Sequence, residues 1–95
     1  KAMITKLVKK ITNDEFMKEY VVGLDVTTEG DVFLRIRKNQ FKVLFGKSKD
    51  IETKFQKFKA FYKLTKNDSL LDTYSLINLK FKNQVVATKK ETNGG

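Results

Sequence analysis

Asp14–Glu15 and Glu29–Asp31 are two close acidic pairs in the chain. Two neighbouring carboxylates are the least that acid–base work or a hard cation requires. Each pair, however, sits on a turn signal ("TNDE" and "TEGD"), where capping and turn formation already account for such residues. Histidine and cysteine are absent, so there is no imidazole base, thiolate nucleophile, disulfide or thiolate zinc site. The glycines are scattered and form no phosphate-cradling loop. The residues therefore predict a non-enzyme with no catalytic, cofactor-binding or metal-binding positions and no cofactor.

Binding is the chemistry that remains. A net charge of +9 attracts phosphates, anionic lipid or an acidic protein surface without choosing among them. "VFLRIRKNQFKVLF" interleaves aromatic and basic residues as single-strand-binding sheet platforms do, which makes a basic nucleic-acid-binding module using the sheet face the alternative reading. Phe41, Val43 and Phe45 share a parity that a core claims more naturally, so nucleic acid is not favoured.

The elements that position these groups follow from periodicity. Ile4, Leu7, Val8 and Ile11 recur at helical spacing and predict a helix over residues 2–12. Thr12, Asn13 and Asp14 then supply either a stop or the cap of a short second turn carrying Phe16 and Met17. From Tyr20 the period becomes two. Val22, Leu24 and Val26, then Val32, Leu34 and Ile36 across "TEGD", predict a hairpin, and a "KNQ" turn into Phe41, Val43 and Phe45 extends it to a three-stranded meander ending at Gly46. "KSKDIETKFQKFKAFYKL" places Ile51, Phe55, Phe58 and Tyr62 at helical spacing, with Ser48 or Asp50 as its cap. "TKNDSLLDTY" reads as a loop. Ile77, Leu79 and Phe81, a second "KNQ" turn, and Val85 to Ala87 close the chain as a hairpin.

The predicted fold is thus α+β: an antiparallel sheet, made of a three-stranded meander plus a C-terminal hairpin, packed with two amphipathic helices. Residues 1–90 form one small domain and residues 91–95 a flexible tail. No run of about 18 apolar residues occurs, and the start at Lys1 reads as a piece of a longer protein.

The final strand raises a separate expectation. The unpaired backbone groups of an outer strand are a template for another chain unless proline, bulges or charges blunt them. The chain has no proline, and Gln84, Val85, Val86, Ala87 and Thr88 carry no charge. This edge is open to β-strand addition by a partner, or to a homodimer of the fragment through the same edge.

The succession "VFLRIRKNQFKVLFGK", "DIETKFQKFKAFYK" and "YSLINLKFKNQVVATKK" resembles the C-terminal part of the extracytoplasmic β domain of the bacterial cell division family FtsQ/DivIB, in wording most like its Bacteroidetes branch. Gly46-Lys47 and Ile77-Asn78-Leu79-Lys80-Phe81 match the family's strand-ending glycine with its basic neighbour and its penultimate strand, although Asn78 stands where Asp is usual. Lys47 and Lys80 stand where Arg is frequent, which keeps the charge but not the bidentate fork. The resemblance implies a non-catalytic divisome scaffold in septum formation, with FtsB/DivIC and FtsL as protein partners. It also implies a single-pass parent in the inner membrane and a periplasmic location for this domain at the division septum. It places partner binding at Lys47, Lys80, Phe81, Asn83, Gln84, Val85, Val86, Ala87 and Thr88.

Overall fold

The computed structural model describes residues 2–37, 41–66, 70–82 and 84–90. Helix α1 (Ala2–Thr12) buries Leu7 and Ile11 and rests Ile4 against the same core. Asp14 follows in extended conformation, and its carboxylate accepts the amide protons of Phe16 and Met17, both at 3.0 Å. Two donors that a helix start otherwise leaves unpaired are satisfied in this way, so the cap of a second helix, α2 (Glu15–Tyr20), is what forms.

The chain then enters strand β1 (Val21–Val26), turns through residues 27–31 and returns as β2 (Val32–Ile36). Thr27 holds that turn twice, its amide donating to Asp31 O at 2.8 Å and its hydroxyl accepting from the Asp31 amide at 3.0 Å. Strand β3 (Lys42–Gly46), helix α3 (Ile51–Thr65), a short 3-10 segment (Leu70–Thr73), β4 (Tyr74–Asn78) and β5 (Val86–Lys89) complete the order. The first "KNQ" turn, Asn83 of the second, and the tail 91–95 lie outside the described residues.

The five strands lie in sequence order, β1-β2-β3-β4-β5. The α+β class is as expected, but the sheet is mixed rather than antiparallel, because β3 and β4 run parallel with Val43 beside Ile77. The physical reason is the connection: α3 crosses back over the sheet, so β4 starts from the end at which β3 started. Helices number three among the described residues rather than two, α2 being the addition. The expected loop after α3 contains the 3-10 segment, and Leu71 within it is buried.

One face of the sheet carries the core. Val32, Leu34, Val43, Phe45 and Ile77 are fully excluded from solvent, and Phe58 of α3 is equally buried above them. Each such side chain contributes about 1.5–3 kcal/mol of transfer free energy. Phe41, Val43 and Phe45 all belong to this core. Registration places Phe33, Leu44 and Asn78, then Arg35, Lys42 and Leu76, in two rows on the other face, all half-buried or exposed. The helices therefore form one layer against one side of the sheet.

Candidate edge-strand interface

Among the described residues β1 and β5 are the outer strands of the sheet, each paired on one side, and they differ. The β1–β2 ladder shifts register between Val21 and Gly23, an extra residue in β1 itself. A bulge of this kind bends and twists the strand that carries it, which spoils that edge as a template. The shift between β4 and β5 lies in β4, between Tyr74 and Leu76, leaving β5 regular with Thr88 beside Leu76, Ala87 beside Ile77 and Val86 beside Asn78.

Alternation along β5 assigns its backbone groups. The Lys90 amide donates to Thr73 O at 2.7 Å and Thr88 O accepts from the Ser75 hydroxyl at 3.4 Å, so the even-numbered residues direct their groups toward β4. The amides and carbonyls of Ala87 and Lys89, and by the same parity Val85, point away from the sheet. Side chains alternate as well. Val85 and Ala87 pack against the core on the helix face, while Val86 and Thr88 lie exposed on the other.

The connection into β5 is fixed from above. Asn78 Oδ1 accepts the Lys80 amide at 2.9 Å and turns the chain out of β4 although the alternation continues through Phe81, while the Leu79 amide still pairs with β3, donating to Leu44 O at 2.9 Å. Phe81 is consequently not a strand residue; it stands exposed in the turn. Lys57 of α3 reaches down to this turn, donating to Leu79 O at 3.0 Å, to Phe81 O, and to Gln84 O at 3.4 Å. A single ammonium thereby gathers three carbonyls of the turn.

The expected interface residues are distributed unequally. Gln84, Val85, Val86, Ala87 and Thr88 lie along the outer strand and its approach, Phe81 and Lys80 in the turn before it, and Asn83 outside the described residues. Lys47 follows β3 and turns the other way: its ammonium donates to Glu29 O and lies 3.6 Å from Asp31 Oδ1, bracing the β1–β2 turn. Lys80 instead leaves β4 beside the β5 approach, with its stem lying across Gly46. From Tyr74 to Lys90 the chain carries Lys80, Lys82, Lys89 and Lys90 and no carboxylate, so the edge has a positive border around an uncharged centre.

Two lysines of α3 are part of the packed structure rather than of a solvated face. Besides Lys57, Lys54 is 6% exposed, donates to Lys47 O at 2.9 Å and stands 4.6 Å above the Phe45 ring. Burial pushes the Lys54 pKa down, opposed by the nearby Asp50 carboxylate. The signal was present, since Lys54 occupies the apolar stripe Ile51, Lys54, Phe55, Phe58 at i, i+3, i+4 and i+7.

Among the described residues no group of three or more Asp and Glu side chains is placed to hold a metal ion, and no helix is long and apolar enough to cross a membrane. A family model described as FtsQ/DivIB, C-terminal related, matches residues 1–88. No curated protein matches the chain.

Proposed function

Because the chain belongs to the FtsQ/DivIB C-terminal related family, a family of non-enzymatic cell-division scaffolds, we propose that it binds a partner division protein by β-strand addition along β5. The observation that carries this reading is the regular outer strand whose Val85, Ala87 and Lys89 backbone groups face away from β4. A visiting segment would pair with those groups and place alternate side chains beside Val85 and Ala87 on one face and Val86 and Thr88 on the other. The lysines at the border suit a segment that carries carboxylates. Lys80 is the better placed of the two expected basic contacts, and Lys47 would have to leave Asp31 to take part.

FtsB/DivIC is the proposed strand donor, with FtsL as its companion. The proposed setting is the periplasmic side of the inner membrane at the division septum, in a parent anchored by one span. Pairing of two copies through β5 is the competing use of the same edge. Nucleic-acid binding through the sheet face is less well supported, because Phe41 and Phe45 are in the core and Phe33 is the one sheet aromatic on the open side among the described residues.

A proline at Val86 would remove an amide directed at β4 and damage the hairpin itself. Ala87→Pro removes an outward amide and leaves the β4–β5 ladder intact, a position at which edge strands tolerate proline. Titration of the FtsB/DivIC segment into this variant is expected to show at least a tenfold loss of affinity with an unchanged circular dichroism spectrum. Undiminished affinity would place the partner elsewhere.

A further inference from the structure

A second surface lies on the helix layer. Phe16 and Tyr20 of α2 and Tyr62 of α3 are all half-buried, with ring centroids 4.7 Å apart for Phe16–Tyr20, 5.4 Å for Phe16–Tyr62 and 4.9 Å for Tyr20–Tyr62. Together with Ala60 they line a recess between the two helices, and Lys59, Lys63 and Lys66 rim it. We propose that this recess is a docking site for an acidic peptide segment that anchors one bulky apolar side chain among the three rings and sets carboxylates against Lys63 and Lys66.

Charge and shape select that occupant. Lys59, Lys63 and Lys66 recur at i, i+4 and i+7, so they share one ridge of α3 and span roughly 10 Å along it. Lys59 is already committed to Asp14 Oδ2 at 2.6 Å, whereas Lys63 and Lys66 are exposed with no carboxylate paired to either among the described residues. An apolar recess bordered by unneutralised cations is complementary to a segment in which an aromatic or leucine residue is followed by acids. Nucleobases fit less well, because the rings are tilted or edge-on to one another and present no open stack. A membrane surface fits less well too, since the rings are set back between two helices rather than projecting to an interface. The recess and β5 are served by opposite flanks of α3: Phe16 and Tyr20 meet Tyr62, while Phe61 meets Tyr74 on the strand side. One partner strand on β5 therefore leaves the recess free.

The test uses the 95-residue chain, isotopically labelled, and a capped peptide bearing a Phe-Leu pair between two pairs of glutamates. Amide shifts are expected at Tyr20, Ala60, Tyr62 and Lys63. Affinity is expected to fall about tenfold in the Lys63→Glu/Lys66→Glu variant, and by a similar factor for a peptide with glutamine in place of glutamate. Both substituted lysines are exposed, so the variant keeps its fold. Shifts confined to β5, or equal affinity for the variant, would overturn the assignment. So would loss of binding to phosphatidylglycerol vesicles in the variant with peptide binding unchanged, which would make the ridge a lipid contact.

Discussion

Lys57 Nζ lies 3.0 Å from the carbonyl oxygen of Leu79, the last buried residue before the chain turns toward its outer strand. Through this contact, and those to Phe81 and Gln84, helix α3 determines where β5 begins. The turn would otherwise be free to shift, and a strand whose start is not fixed presents its outward amides in no fixed register.

Lys57→Met keeps most of the aliphatic stem and removes the donors. It is expected to cost about 1.5–3 kcal/mol, the range for a hydrogen bond to a charged group. Urea unfolding measures the loss, and faster amide exchange at Thr88 than at Leu34 would localise it. Uniform acceleration would mean that Lys57 supports the fold generally rather than the edge.

Asp14 links the start of α2 to α3. Burial alone would raise its pKa, but the hydrogen bond from Lys59, the Met17 and Phe16 amides and the Lys59 charge together hold it below 3.8. A carboxylate whose folded pKa is depressed contributes stability that is fully present above its unfolded pKa and is lost as pH falls through the folded one. Unfolding free energy is therefore expected to drop below about pH 4, and Asp14→Asn is expected to flatten that part of the profile while Glu52→Gln, at an exposed pair, changes it little. Parallel acid profiles for wild type and Asp14→Asn would contradict this role.

Gly46 ends β3 with a φ of 83°, and a Cβ there would meet Lys80 Cγ at 2.7 Å. Gly46→Ala combines a disfavoured backbone conformation with a displaced Lys80 stem. It is expected to cost more than about 1 kcal/mol, read as a lowered urea midpoint at constant slope.

Much of the fold was legible because one face of each strand is apolar. Alternation located Val32–Ile36 and Phe41–Phe45, and helical spacing located α1 and α3, since each pattern is the direct consequence of burying one side. The direction of β4 was less legible. Periodicity reports a strand's faces and not its orientation, and only the length of the α3 crossover hinted at a parallel neighbour. The end of β4 was missed because Leu79 continues the alternation while Asn78 folds its side chain back onto the Lys80 amide. At the candidate interface, the uncharged run 84–88 was plain in the sequence. Lys57 was not, because nothing in the sequence distinguishes a lysine that binds carbonyls of a distant turn from one that faces water. Lys47, expected at a partner, also braces the β1–β2 turn, a contact that no spacing in the sequence announces.

Hydrogen exchange at individual β5 amides tests strand addition most directly. In the free chain Val86, Thr88 and Lys90 are expected to be protected by β4, and Ala87 and Lys89 to exchange freely. Saturation with the FtsB/DivIC segment is predicted to slow Ala87 and Lys89 by at least tenfold and to change the even-numbered amides far less. Full occupancy of the partner with Ala87 and Lys89 still exchanging at their free rates would contradict the account.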